Sequence, residues 1–522
     1  MMRRPVMPSS PATKMQKART ESIPSPIGGW NARDSIAAMP PEDAVILTNW
    51  FPTPSNVQLR AGSQNWATGL GNQVNSLMPY NPASGPGKLF AAAGGSVFDV
   101  TASGAVGAAV ISSLSSDKWK HANFATSAGP FLGIVNGVDG YYVYNGTSWQ
   151  KVTSTSGPIS ITGVDPTTLS DIVMFASRVF FIQKGSLNAY YLPVGSVGGA
   201  ASVFPMQAIF PRGGSLVAMG VWTVDGGYGM QDYLCFVTSE GEIAIYQGTD
   251  PSQSSTWSKV GVYQVGTPMG NRCFMKYGGD LLYIGKDGLG PVSRLLASSR
   301  VNTQVDLSYK IQNAISQATS LYGSNFGWDM VLYPVSNALL LNIPIAAGYQ
   351  QQYVMNTITG AWTQFTGWTA NCWVRFNDNL YYGGNGTVVH AWSAAQDDNG
   401  ASIVGEALPA FNYFGSHQLK QWTMARPVLQ STGTPGVLLG LNVDFDTTAP
   451  SGTPEFSAQS GAIWDQAIWD QALWGGSQQI IKNWEHVGGI GYAAALHMLV
   501  SARDMPVSWM STDYLMTDGG VL

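Results

Sequence analysis

The sequence predicts an all-β chain: a β-propeller of six or seven blades with one inserted helix, followed by a C-terminal β-sandwich. Three observations lead there. The stretch from Leu339 to Trp368 contains short apolar runs separated by tight turns. Leu339-Leu340-Leu341 suits a strand buried on both faces. Tyr353 to Asn356 and Ala361 to Phe365 flank the turn at Thr359-Gly360, and Cys372 to Phe376 follows. Four such strands in about 40 residues is the size of one blade. Second, Trp149-Gln150-Lys151-Val152, Trp257-Ser258-Lys259-Val260 and Trp362-Thr363-Gln364-Phe365 share one pattern, with tryptophans 108 and 105 residues apart. Halving that interval gives a unit of about 53 residues, and Val203-Phe204 falls near the missing midpoint. Third, the composition disfavours long helices: 61 Gly, 29 Pro and only 11% charged residues, against a usual ~25%. A closed ring also removes the exposed edges that so many short strands would leave.

Residues 1–25 read as a disordered basic arm. Arg3, Arg4, Lys14, Lys17 and Arg19 fall among its first 20 residues with no acid, and it lacks the apolar centre of a signal peptide. Residues 26–74 form an N-terminal segment. In it, Gly28-Gly29-Trp30-Asn31 reads as a turn with an aromatic anchor. Met39-Pro40-Pro41-Glu42-Asp43-Ala44 reads as the start of a short helix, since Pro and acids are tolerated in a first helical turn. Val57 to Trp66 reads as a strand pair broken at Gly62.

Residues 75–400 cycle through strand, turn, strand. Val179 to Ile182 and Ala189 to Leu192 flank Lys184-Gly185, and Leu234 to Val237 and Ile243 to Tyr246 flank Glu240-Gly241. One segment breaks the rhythm. Residues 305–322 place Leu307, Ile311, Ile315 and Ala318 on one helical face, with Asp306 as N-cap and Gly323 as stop. This helix is expected on the propeller rim or between subunits. The polar turn Gln396-Asp397-Asp398-Asn399-Gly400 marks a boundary, and 401–522 reads as the β-sandwich.

Little in the chain suggests catalysis. Cys235, Cys273 and Cys372 are too dispersed for a disulfide framework or zinc ribbon and are expected as buried thiols. His121, His390, His417, His486 and His497 show no metal-binding spacing. Gly85-Pro86-Gly87-Lys88 lacks both the first Gly and the following Ser or Thr of a phosphate loop. Asp397-Asp398-Asn399-Gly400 lacks the longer oxygen-rich loop of a calcium site. Asp444 and Asp446 lie two apart on one expected strand face, where paired carboxylates are more often solvated than hydrolytic. No catalytic residue, cofactor or metal is therefore expected, and no apolar run reaches the ~18 residues of a membrane span. The formal net charge of −5 does not suit a general nucleic-acid binder.

Residues 463–474 read IWDQAIWDQALW, a five-residue repeat that puts Trp464, Trp469 and Trp474 in step, with Asp465 and Asp470 after the first two. Neither a helical nor a strand period yields one apolar face from this spacing. A run of turns follows, each Trp pinned separately. The three either fill their own sandwich or anchor a neighbouring subunit, so these five residues are the interface candidates.

The ordered set KYGGDLLYIGKDGLGPVSRLL, SYKIQNAI, FGWDM, LLLNIP, QYVMNTITGAWTQF, LYYGGNGTV and ALPAFNYFG, between Lys276 and Phe445, resembles the tail-hub or nozzle proteins of short-tailed bacteriophages. GGWNARDS and LTNWFP fit the same group, and the resemblance spans about residues 26–450. It implies a non-enzymatic virion protein of the viral tail, assembled in the host cytoplasm. Such proteins form a homohexameric ring below the head-tail adaptor, retain packaged duplex DNA and conduct it during ejection. The implied partners are that adaptor and tail fibres, spikes or a needle, without stable membrane insertion. A Tyr- and Trp-rich, charge-poor surface suits the heterologous contacts of such a ring. The alternative is a propeller-type polysaccharide-degrading or carbohydrate-binding tail protein, with tryptophans stacking on sugars.

Overall fold

The computed structural model describes residues 18–225, 230–297, 307–454 and 478–519. Its middle is a β-propeller with seven blades among the described residues, each built outward from an innermost strand. The first blade uses residues 74–80 with Lys88–Ala93 and Ser96–Asp99. The second runs Lys120–Thr126, Gly129–Val135, Tyr141–Tyr144, Trp149–Val152. The third runs Leu169–Phe175, Arg178–Gln183, Asn188–Tyr191, Ser202–Pro205. The fourth runs Leu216–Asp225, Met230–Thr238, Glu242–Gly248, Trp257–Gln264. The fifth has Phe274–Tyr277, Asp280–Gly285 and Gly288–Pro291. The sixth runs Asp329–Tyr333, Ala338–Ala346, Tyr349–Asn356, Trp362–Phe365. The seventh takes Cys372–Phe376, Asn379–Gly383 and Asn385–Ser393.

One long strand, Gly62–Tyr80, closes the ring. Its first half is the outer strand of the seventh blade, through pairs such as Val388↔Ala67, and its second half is the inner strand of the first. The ring therefore begins at Gly62 rather than 75. Cys372–Phe376 opens the seventh blade rather than completing the sixth, whose first strand, Asp329–Tyr333, lies before the Leu339 run. Apolar clusters fill the gaps between successive blades, as Phe180, Phe236 and Trp257 do between the third and fourth.

The recurring tryptophans gain a physical reason. Each opens an outermost strand and packs toward the preceding blade. Trp149 meets Phe90 with ring centroids 5.0 Å apart, and Trp257 stacks on Phe180 at 6.0 Å. Trp362 is fully buried with Ile311 and Ile315, and its indole N–H donates to the Leu307 carbonyl at 2.8 Å.

The expected helix begins as a 3-10 turn, Tyr309–Ile311, and continues as Gln312–Tyr322. It packs into the core between blades five and six through Ile311, Ile315 and Ala318, so it is not a free rim helix. The Gly323 N–H closes it on the Thr319 carbonyl. Asp306, the expected cap, lies outside the described residues. A second helix, Val292–Ala297, was not expected from the sequence.

The C-terminal β-sandwich exists, but 401–522 does not build it alone. One sheet joins Lys420–Ser431 and Val507–Asp518 to Val57–Leu59, Trp50–Pro52 and Arg19–Pro24. The other joins Ile403–Pro409, Ala494–Ala502 and Gly436–Val443 to Asp43–Thr48. Trp50 and Trp509, 6.0 Å apart, lie in the core between the sheets with Leu47, Leu429, Met498 and Val500. The second sheet runs on into the sixth blade through Thr48 and Gln364.

Two expectations fail here. Residues 19–24 of the supposed arm form a strand, held by Ile23 in the apolar cluster of Tyr514 and Met516 and by the Arg19 guanidinium, which donates to the Phe414 carbonyl at 2.8 Å. Residues 1–17 lie outside the described set. The short helix at 39–44 is instead a turn leading into the strand Asp43–Thr48, because Ala44 and Leu47 are needed in the sandwich core. No helix among the described residues is long and apolar enough to cross a membrane.

Candidate functional site: a bolted propeller axis

The interface candidates Trp464, Asp465, Trp469, Asp470 and Trp474 lie outside the described residues. Asp444 and Asp446 are described, and they follow the strand Gly436–Val443 rather than sharing its face. Asp444 accepts from the N–H groups of Tyr492 (2.7 Å) and Ala493 (3.1 Å), and Asp446 from Thr448, so both hold turns. Asp397 accepts from the Gly400 N–H at 2.7 Å, and Asp398 is the ion-pair partner of the buried Arg60. Lys88 of the Gly-rich stretch pairs with Asp99 at 2.7 Å. Cys235, Cys273 and Cys372 are free and buried, and burial pushes the last two thiols up to about 12. No cluster of three or more His, Cys, Asp or Glu suited to a metal is found among the described residues.

The densest polar assembly sits where the inner strands begin, around the propeller axis. Three side chains staple one inner strand to the next. The Ser76 hydroxyl accepts from the Trp119 N–H at 2.7 Å, the Asp171 carboxylate from the Met219 N–H at 2.7 Å, and Asp329 from the Trp373 N–H at 3.1 Å. Two cations then cross the axis. Arg272, ahead of the fifth blade, donates to the Asn75 carbonyl at 2.8 Å and the Ser76 hydroxyl at 3.0 Å in the first blade, and pairs with Asp329 at 3.5 Å. Lys120, on the second blade, donates to the Asn271 carbonyl at 3.0 Å beside the fifth and pairs with Asp171 at 3.6 Å.

Burial pushes both carboxyls up, against the pull of their cations and backbone donors. Desolvation, then Lys120 and Arg272, press the His121 imidazole down to about 3 and keep it neutral. Buried charges require partners of this kind. Each carboxylate is committed to two backbone N–H groups and a cation, which bolts blades one, two and five together across the axis. Asp329 lies in the FGWDM stretch, but the sequence alone assigns no role to it or to Lys120, Asp171 and Arg272. The available signal was a charged residue at the start of an inner strand in an otherwise charge-poor chain.

A second polar knot joins segments far apart in sequence. Asp43, 1% exposed, accepts from the Asn31 amide at 2.8 Å and from Lys310 at 2.7 Å. Lys310 also donates to the Gly28 carbonyl at 3.0 Å, and Arg33 lies over the Tyr309 ring at 3.6 Å. Gly29 has φ +82, and a Cβ there would come within 2.7 Å of the Trp362 backbone, so only glycine fits. The Ala410 N–H donates to the Asp43 carbonyl at 2.9 Å. GGWNARDS, SYKIQNAI, ITGAW and ALPAFNYFG thus converge on one clasp.

These features define a seven-bladed β-propeller clasped to a β-sandwich. No family model matches the chain, and no curated protein matches it. Among solved structures, BBS1N in complex with ARL6DN is similar over 65% of this chain and 99% of that one, at 9% identity and a TM-score of 0.39. A putative 6-phosphogluconolactonase from Bacteroides fragilis is similar over 64% of this chain and 90% of that one, at 12% identity and a TM-score of 0.34. YCF48 bound to D1 peptide is similar over 69% of this chain and 99% of that one, at 12% identity and a TM-score of 0.34. Likeness at this level carries no inference about activity or partners.

Proposed function

We propose that the chain is a structural subunit of a short-tailed phage virion, forming the ring-shaped tail hub or nozzle through which DNA leaves. The observation that supports it best is the clasp around Asp43. Four of the sequence stretches that resemble tail-hub proteins, far apart in the chain, meet there as interlocking structural residues. The bolted axis bears on how such a protein works. Lys120 and Arg272 cross the propeller centre, so duplex DNA does not run through a subunit's own propeller. It runs on the symmetry axis between subunits, as a heterologous ring provides. The formal charge of −5 per subunit suits a wall past which DNA slides without sticking.

The test is native mass spectrometry and electron microscopy of the chain assembled with its head-tail adaptor. A six-fold ring with an axial channel wide enough for duplex DNA is expected. Another stoichiometry in the assembled tail, or steady depolymerisation of a polysaccharide by the purified chain, overturns the reading.

A further inference from the structure

A cleft of about 610 Å³ opens between the propeller and the sandwich. Its propeller wall carries Ser336, Trp392 and Ser393, and its sandwich wall carries Gln58. Three observations set it apart from an ordinary gap between domains.

The first is conformational. Trp392 has φ +54 inside the strand Asn385–Ser393, at an irregularity in the pairing with Gly62–Tyr80. A bulky residue in the left-handed region is a true outlier, and such strain collects where a side chain must be aimed out of its ladder. Packing holds it there. Trp392 meets Phe51 edge-on at 5.3 Å and lies 5.7 Å from Phe365, yet it stays half-buried and lines the cleft.

The second concerns hydrogen bonding. Ser393 is 5% exposed, lines the same cleft, and its hydroxyl is buried without a partner. Buried hydroxyls are normally satisfied, and an orphan beside a cleft marks a place for a partner from outside.

The third is charge. Arg60 is the single charged residue of the lining, and it is spent. Its guanidinium donates to Asn49 (3.0 Å), to the carbonyls of Ala61 (3.1 Å) and Thr366 (2.9 Å), and to Asp398. What remains facing the cleft is uncharged: amides, hydroxyls, the Trp392 indole and apolar side chains such as Ile358 and Pro506.

We propose that this cleft is a binding site for a neutral oligosaccharide, with Trp392 as the platform for a sugar's C–H face and Ser393 and Gln58 as hydroxyl partners. Neutral donors and acceptors around an aromatic plane match a polyol. An unsatisfied cation, which an anionic ligand would need, is missing from the lining. The volume lies within the range of small-ligand sites. The site is independent of the ring proposed above, since all its walls belong to one chain.

The test uses the full chain, an array of neutral glucose, galactose, mannose and N-acetylglucosamine oligomers, and saturation-transfer NMR on those that bind. Gln58→Trp at the exposed lip blocks the cleft without touching the core, and Trp392→Phe shortens the platform. Binding at millimolar concentration or tighter is expected, weakened tenfold or more by each variant, with the Gln58→Trp melting temperature unchanged. No neutral glycan bound at millimolar concentration, undiminished binding by Gln58→Trp, or tighter binding of sialylated or sulfated glycans would each overturn the proposal. Should Trp392→Phe also melt early, Gln58→Trp alone decides.

Discussion

Blades two to four and the seam where the ring closes are built from similar strands but assembled by opposite means. Each of those blades is one continuous stretch of chain, folded strand after strand, and its outer aromatic residues lock onto a neighbouring blade. At the seam, by contrast, Gly62–Tyr80 joins the last blade to the first, and residues 19–59 complete a sandwich whose other strands lie beyond residue 400. Local contacts order cheaply. Contacts between distant segments must first overcome loop-closure entropy, so they need stronger fastening, and the seam has it. Arg60, Asn49, Asp398 and Thr366 form one polar knot there, whereas blades three and four meet mainly through aromatic and aliphatic packing, with Asp171 as the staple at the axis.

Breaking the seam should therefore have the largest effect. Arg60→Ala leaves the Asp398 carboxylate with the Ser63 and Trp368 donors but no cation, and removes the link to the Thr366 carbonyl. Loss of one member of a buried pair costs about 3–5 kcal/mol. Hydrogen exchange should rise in 62–73 and in the sandwich strands Asp43–Thr48 and Ile403–Pro409 together. Protection retained in the sandwich while 62–73 opens would show that the two are separate cooperative units.

The same contrast explains what could be read from the sequence. Hairpins such as Arg178–Gln183 with Asn188–Tyr191 declare themselves through alternating aromatics around a glycine turn, and the Trp149, Trp257 and Trp362 pattern marks a recurring strand that only the structure places outermost in its blade. A spacing of 53 over residues 75–400 gives six units, or seven, because the seventh blade occupies only Cys372–Ser393 of the later chain and takes its outer strand from Gly62–Tyr80. Nothing local in Gly62–Tyr80 says that its two halves serve different blades. Residues 39–44 carry helix-start signals, but Ala44 and Leu47 are claimed by partners more than 350 residues away. The axial site was hidden for the same reason: Lys120, Asp171, Arg272 and Asp329 are unremarkable apart, and only ring closure brings them together.

A blade-internal change should be smaller and stay local. Trp257→Leu removes the stack on Phe180 but keeps an apolar filler, for an expected loss of about 2 kcal/mol, below the 3–5 of full truncation. Raised exchange confined to blades three and four is the expected signature. Spread into the sandwich would mean that the ring unfolds as one unit.

The axis offers a pH-dependent version of the comparison. His121 is held neutral, at about 3, against an ordinary value of 6.5. The unfolded chain then binds the extra proton first, so stability is full above about 6.5 and falls as pH drops toward 3. The two raised carboxyls, Asp171 and Asp329, work the other way over the lower part of that range. His121→Gln should flatten the decline between pH 6.5 and 4.5, measured by thermal melts, and leave the melting temperature at pH 8 nearly unchanged. An unaltered decline would locate the acid sensitivity elsewhere.

The smallest effect is expected from an exposed ion pair inside the first blade, Lys88 with Asp99. Both side chains are about one-third exposed, at 39% and 32%. The hydrogen bond to Asp99 holds the Lys88 ammonium above its usual value. Burial pushes the Asp99 carboxyl up, but Lys88 and Thr101 donate to it and the net shift is downward. The signs follow. The Asp99 contribution is present above about 4, its unfolded value, and is lost as pH falls through the lower folded one. The Lys88 contribution is complete below about 10.4 and is lost as pH rises through the higher folded one. Between those limits both are present, yet solvent screening keeps a pair this exposed to about 1 kcal/mol or less. Lys88→Met retains the apolar stem and removes only the charge, so at pH 7 the melting temperature should shift by a degree or two at most. A loss as large as that of Trp257→Leu would mean that the first blade, which shares its inner strand with the seam, depends on side-chain charge in a way that blades two to four do not.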